Sequence, residues 1–203
     1  MMKTYSALLF LLLSGIACAA EQPATDAPRK LTGILTAGYS YGGDTLPDVE
    51  LVGGGISTLR AGTGINVSGG GIYRPVPRLG LQATFGYQFH AASHDGGTAY
   101  VKRYPLEIAP FVYLGEKARL GFGWRHNFKL KYDGRYNKSP TIEFGQSDGV
   151  YAELGVQYQP DVWFALRYIK ESYKARPFDF RETRYEMGSI KADHFGFMFQ
   201  HTF

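Results

Sequence analysis

The sequence predicts an all-β fold: an eight-stranded antiparallel up-and-down transmembrane β-barrel over residues 31–203. Three observations predict it. The last stretch, residues 193–203, reads DHFGFMFQHTF, in which Phe195, Phe197, Phe199 and Phe203 alternate with His194, Gly196, Met198, Gln200 and Thr202, His201 being the one break. A period of two is the side-chain period of a strand, so one face is aromatic and the other small or polar. Beyond residue 20 no apolar run approaches the length of a spanning helix, although aromatic content is 15% and glycine numbers 26. A chain of this kind enters a bilayer as strands, and only a closed barrel leaves no backbone group unpaired in lipid. Finally, the connections between alternating stretches run long, tight, long, tight, long, tight, long. That is the asymmetry of external loops and periplasmic turns.

Residues 1–20 are set aside first. Lys3 supplies a positive region, residues 7–16 an apolar one, and Ala17, Cys18, Ala19 and Ala20 a small-residue cleavage site, so this stretch reads as a removable secretory signal peptide. A membrane anchor would need a longer apolar run, and lipidation at Cys18 would want Leu where Gly15 stands. The chain's one Cys leaves with the signal, so the mature protein carries no thiol to mispair in an oxidising compartment. Residues 21–30 are polar and Pro-containing, a short periplasmic lead-in. Lys and Arg number 22 against 18 Asp and Glu, with no basic block, which gives a nucleic-acid partner no support.

The strands follow in order. The first, about 31–41, sets Leu31, Leu35, Ala37, Tyr39 and Tyr41 against Thr32, Thr36 and Ser40, with Ile34 an exception. A polar, Gly-rich loop at 42–58 leads to the second, about 59–73, where Ile65 and Val67 alternate with Asn66 and Ser68. After a turn at Pro75-Val76-Pro77, the third, 79–90, places Leu81, Ala83, Phe85, Tyr87 and Phe89 opposite Gln82, Thr84, Gln88 and His90. A polar loop at 91–99 precedes the fourth, about 100–114, in which Pro105 and Pro110 are expected to mark bulges or kinks. The fifth, 119–132, sets Leu120, Phe122, Trp124 and Phe128 against Arg125, Asn127, Lys129 and Lys131. Loop 133–149, the sixth strand 150–159, a turn at Pro160-Asp161, the seventh strand to about 173, and loop 174–188 lead to the last strand.

A soluble lipocalin-like barrel also alternates, but it fills its inside with apolar residues. Here the polar face carries Arg103, Glu107, Arg125, Lys129, Glu153, Arg167 and Glu171, while the other is a band of Leu, Val, Ile, Phe and Tyr with aromatics near strand ends. The polar face therefore points inward. Centring hairpins on their turns sets Glu107 across from Arg125 and Glu153 across from Arg167, and also Ser68 across from Thr84 and Gly70 across from Gln82. The four charges form a luminal ion-pair network that plugs so narrow a barrel. The competing reading is a gated path through them. Exchanging Glu107 and Arg125 for each other is expected to recover stability lost in Glu107→Ala.

Catalysis needs a nucleophile, base and orienting group together. His126 lies among outward Trp124 and Phe128, His90 and His94 flank a polar loop with Ser93 and Asp95, His194 faces inward near the outer rim, and His201 sits at an interface. No Cys/His metal spacing occurs, and the glycines at 53–55 and 69–71 do not form a phosphate loop, so neither metal nor cofactor is expected. The seventh strand resembles that of the lipid A deacylase barrels, keeping Ser172 but carrying Lys170 where that family has His. The departure argues against that activity.

Over nearly all of the mature chain, the architecture, the alternation and the terminal Phe resemble the small OmpA- and OmpX-type and opacity-like barrels. The resemblance implies an integral outer-membrane protein of a Gram-negative bacterium. It also implies Phe203, with Phe199, as a signal read by the barrel assembly machinery, and outer-membrane lipid or lipopolysaccharide as neighbours. The expected role is non-enzymatic and structural or interactive, with Tyr136, Phe144, Phe178, Phe180 and Tyr185 as loop contact points for a surface ligand. The alternative is a narrow transport channel or a lipid A-modifying enzyme.

Overall fold

In the computed structural model, residues 31–45, 60–94, 97–135, 142–174, 178–180, 183–185 and 188–203 are described. The expected signal and lead-in at 1–30 lie outside them. The strands are β1 (Leu31–Gly42), β2 (Gly64–Val76), β3 (Leu79–His94), β4 (Gly97–Leu114), β5 (Ala118–Arg135), β6 (Ile142–Phe144), β7 (Ser147–Gln159), β8 (Val162–Lys174), β9 (Phe178–Phe180), β10 (Thr183–Tyr185), β11 (Ser189–Lys191) and β12 (His194–Thr202). Eight of them form a closed antiparallel ring. Neighbours in sequence pair from β1 through β5, then β5 with β7, β7 with β8, β8 with β12, and β12 back to β1. The four short strands are accessories: β6 on β5, β11 on β8, and β9 with β10 as a separate ribbon.

Alternation decides which face is which. In β12 every even residue is buried and every odd one exposed, from buried His194 to exposed His201. The exposed side carries Leu35, Val67, Phe85, Phe122, Leu154, Leu166, Phe195 and Phe197, an apolar belt around the whole barrel. A soluble protein would leave that belt in water at great cost; lipid is its solvent. Tyr73, Tyr158 and Phe203 edge the belt at the tight-turn end, and Tyr39 and Tyr41 edge it at the loop end.

Several expected boundaries move. Residues 91–94 and 97–99 are not loop but ladder, with Ala91 opposite Tyr100 and His94 opposite Gly97. Polar composition misled there, because backbone pairing in a hairpin does not depend on apolar side chains. Residues 133–135, 142–144 and 147–149 are likewise strand. The second strand starts at Gly64 rather than 59, since residues 61–63 turn inward over the barrel mouth.

The hairpin of β2 and β3 also differs from expectation. Its turn falls on residues 77 and 78 with a register shift between Tyr73 and Val76, so Ser68 lies opposite Gly86 and Gly70 opposite Thr84. Centring on Val76 had misplaced both pairs by two residues. Pro105 does sit at a register shift, next to Arg103, whereas Pro110 is flanked by in-register pairs, Ile108 with Trp124 and Phe111 with Gly121. A missing N–H costs one ladder bond; it does not require an extra residue.

Candidate functional site

An eight-stranded barrel has room inside for side chains and little else. Among the described residues seven inward side chains are charged, and each is at most 4% exposed: Arg103, Glu107, Arg119, Arg125, Glu153, Arg167 and Glu171. They form one chain of alternating sign. From the turn end, Arg119 meets Glu153 at 3.1 Å, and Glu153 meets Arg167. Arg167 meets Glu107 at 2.7 Å, Glu107 meets Arg125 at 3.4 Å, Arg125 meets Glu171 at 3.6 Å, and Glu171 meets Arg103 at 2.9 Å. Strand register builds this order: Glu107 lies opposite Arg125, and Glu153 opposite Arg167.

Neutral groups complete the chain. Asn127 Nδ2 donates to Glu171 Oε2 at 2.9 Å, the Tyr173 hydroxyl donates to Glu171 Oε1 at 2.6 Å, and Arg125 Nη2 donates to Gln88 Oε1 at 2.6 Å. Gln200 accepts from Arg119. Rings hold the guanidinium planes: Arg167 stands 4.8 Å from the Tyr151 centroid, and Arg119 stands 4.3 Å from Phe111 and 4.8 Å from Trp163. Around Arg119 the interior is partly apolar: Phe111 and Trp163 belong to a buried cluster with Ala109, Tyr113, Tyr151 and Ile169.

At the loop end, the chain itself folds over the mouth. Arg103 Nη2 donates to the Ala61 carbonyl at 2.6 Å and Gln88 Nε2 to the Gly62 carbonyl at 3.4 Å. Ala61 and Thr63 are both buried there. Desolvation makes an isolated buried charge costly, so a chain in which each inner member touches two partners of opposite sign suits this buried position.

Of the four charges paired from sequence, all belong to this chain. Arg103 and Glu171 extend it upward, and Arg119 extends it downward. Arg119 was the one missed; it lies next to a turn, but its odd-number parity with Arg125 marks it as inward. The side chain of Lys129 lies outside the described residues.

The histidines divide by face. His194 is inward and buried, its Nδ1 2.6 Å from the Ala192 carbonyl and 3.7 Å from Glu171. His126 is outward, between Trp124 and Phe128, and its Nδ1 lies 2.9 Å from Asp148 Oδ1. Extending the pairing of Gly149 with Glu171 by one residue sets exposed Ser172 on the far side of Asp148. A hydrolytic triad needs the imidazole between hydroxyl and carboxylate. Here the carboxylate stands in the middle.

Of the loop contact points, Phe144 is buried, its ring 6.4 Å from that of Tyr173. It packs on the barrel. Tyr136 and the side chains of Phe178, Phe180 and Tyr185 lie outside the described residues. Phe203 is exposed, exchanging backbone hydrogen bonds with Gly33 at 2.9 and 3.1 Å. Phe199, also exposed, packs against Phe164.

No protein-family model and no curated protein matches the chain. Solved structures do. The attachment invasion locus protein Ail of Yersinia pestis, solved with the heparin analogue sucrose octasulfate, superposes with a TM-score of 0.52 at 14% identity, covering 86% of this chain and 100% of that one. Neisserial surface protein A superposes with a TM-score of 0.52 at 9% identity, covering 88% of this chain and 100% of that one. The chain has the fold of the small outer-membrane β-barrels. At these identities the likeness is one of fold, and the lipid-facing belt supplies the physical reason for the membrane.

Proposed function

We propose that this barrel is a non-enzymatic surface protein whose lumen is plugged and whose work is done at its loop end. The observation that carries this reading is the alternating charge chain from Arg119 to Arg103, covered above by residues 61–63 and packed at Arg119 against Phe111 and Trp163. A transport path would need that chain to part, breaking several buried ion pairs at once. The barrel wall is then a scaffold, and its loop end, at residues 42–58, 91–99, 133–149 and 174–188, is the face through which a surface ligand is met. The same reading takes residues 1–20 as removed, residues 21–30 as the periplasmic lead-in, and Phe203 with Phe199 as the segment offered to the assembly machinery. A sulfated polysaccharide is a natural first probe of the loops, because Ail has been solved with a heparin analogue.

The test is planar-bilayer conductance of the refolded chain, after heat-modifiable gel migration has verified the barrel. Compact migration with a silent bilayer is the expected result. Reproducible conductance steps would overturn the plugged lumen and move the function to Glu107, Arg125, Glu153 and Arg167.

A further inference from the structure

A second feature lies outside the lumen, on the wall between β1 and β2. At the loop end, Tyr39, Tyr41, Arg60, Thr63 and His90 line a half-open cavity of about 390 Å³. Tyr39 and Tyr41 belong to the exposed face, so the cavity opens at the upper edge of the lipid belt. Arg60 is held there by backbone pairing with Thr45, and its guanidinium lies 5.3 Å from the Tyr41 centroid. Among the described residues no carboxylate lies within ion-pair distance of Arg60. Nearby Asp44 is engaged elsewhere, its Oδ2 accepting the Lys191 N–H at 3.0 Å.

Beneath this cavity small outward residues stand among larger ones. Passing down from Tyr39 and Ile65, the paired outward positions are Ala37 with Val67, Leu35 with Gly69, and Gly33 with Gly71. On either side stand bulky neighbours: Phe199 opposite Ala37, and Tyr87 and Phe85 opposite Val67 and Gly69. A Cβ added at Gly69 would meet Leu35 at 3.4 Å and the Ile34 carbonyl at 3.8 Å, ordinary contacts, so the lane is open at Gly69; lower down, the Phe203 ring covers Gly33 and ends it.

We propose that this wall is a binding site for a phosphate-bearing acyl lipid of the outer leaflet. Arg60 takes the phosphate, Tyr39 and Tyr41 flank the headgroup, and an acyl chain lies in the lane over Ala37 and Gly69. Arg is the side chain whose planar fork matches phosphate oxygens. Its place at an aromatic rim above an apolar lane selects a lipid over a soluble anion. The site uses none of the luminal charges, and its test reads retained lipid rather than conductance, so the two readings fail separately.

The test uses the refolded full chain in detergent, with bound lipid counted by native mass spectrometry. The probes are lipid A carrying its phosphates, the same lipid A dephosphorylated, and inorganic phosphate. The phosphorylated lipid should be retained roughly tenfold better than the dephosphorylated one, the factor expected for one lost charge-assisted contact. Arg60→Gln should remove that preference, Arg60→Lys should keep part of it, and Gly69→Phe should weaken retention of both lipids by filling the lane. Heat-modifiable migration of each variant confirms that it is folded. Equal retention by wild type and a folded Arg60→Gln overturns the proposal. So does displacement of the lipid by millimolar inorganic phosphate, which would make the site one for a free anion.

Discussion

Single residues in the lumen differ in how many partners they hold. Arg167 bridges Glu107 and Glu153, so removing it leaves two buried carboxylates each short of a cation. Arg119 stands at the end of the chain, and without it Glu153 still keeps Arg167. Arg167→Met should therefore destabilise by about 3–5 kcal/mol, the usual cost of breaking a buried pair. Arg119→Met should cost nearer to about 1.5–3 kcal/mol, the worth of its charged hydrogen bonds. Urea unfolding in lipid vesicles, followed by tryptophan fluorescence, ranks the two. Equal losses would mean that the chain does not share its charges as the distances indicate.

The same geometry reverses an expectation drawn from the hairpin alone. Treated as an isolated pair, Glu107 and Arg125 invite a charge exchange that restores stability. In the barrel Glu107 also meets Arg167, and Arg125 also meets Glu171. Exchange would set arginine against arginine and glutamate against glutamate. The double exchange should fold no better than Glu107→Ala by heat-modifiable migration; recovery would show the pairs to be independent.

At the scale of elements, strand faces and the two charged hairpins were legible because parity and short turns are local properties of sequence. Parity placed Glu107, Arg125, Glu153 and Arg167 inward, and a turn centred on Glu116 set the β4–β5 register. What stayed hidden was non-local. No periodicity tells that Arg167 on β8 reaches Glu107 on β4 across the lumen, or that residues 61–63 fold over the mouth. The hairpin of β2 and β3 failed for a different reason: Pro75 and Pro77 disturb the strand ending, and the turn slips toward Arg78.

Glycines in β5 test the packing of that element. Gly123 faces the Tyr151 ring so closely that a Cβ would approach its hydroxyl to 2.7 Å. Gly115, in the turn, has φ 69° and nothing within 4 Å of a Cβ. Gly123→Leu should abolish the compact species, since neither ring nor strand can yield inside a closed barrel. Gly115→Asn should cost about 1 kcal/mol or less, as Asn tolerates left-handed backbone. Gel migration separates the two outcomes, and a folded Gly123→Leu would mean the interior is looser than its contacts imply.

For the whole molecule, solvent decides the sign of nearly every surface argument. Inside, the seven described charges are buried and paired; outside, leucines, valines and phenylalanines stand exposed. That inversion makes sense only around lipid, and its strength depends on depth. Leu120, Leu154 and Leu166 form one outward row across β5, β7 and β8, well inside the belt. Tyr158 stands at the turn end, next to the bilayer edge, and is 71% exposed. Leu154→Arg should destabilise by about 2–4 kcal/mol and Tyr158→Arg by about 0–1 kcal/mol, because an arginine near the interface reaches water and one at the midplane does not. Unfolding midpoints in lipid vesicles measure both. If the two substitutions cost the same, the row at Leu154 does not sit at the membrane's middle. If neither costs anything, the belt is not in lipid and the barrel's inside-out pattern needs another solvent.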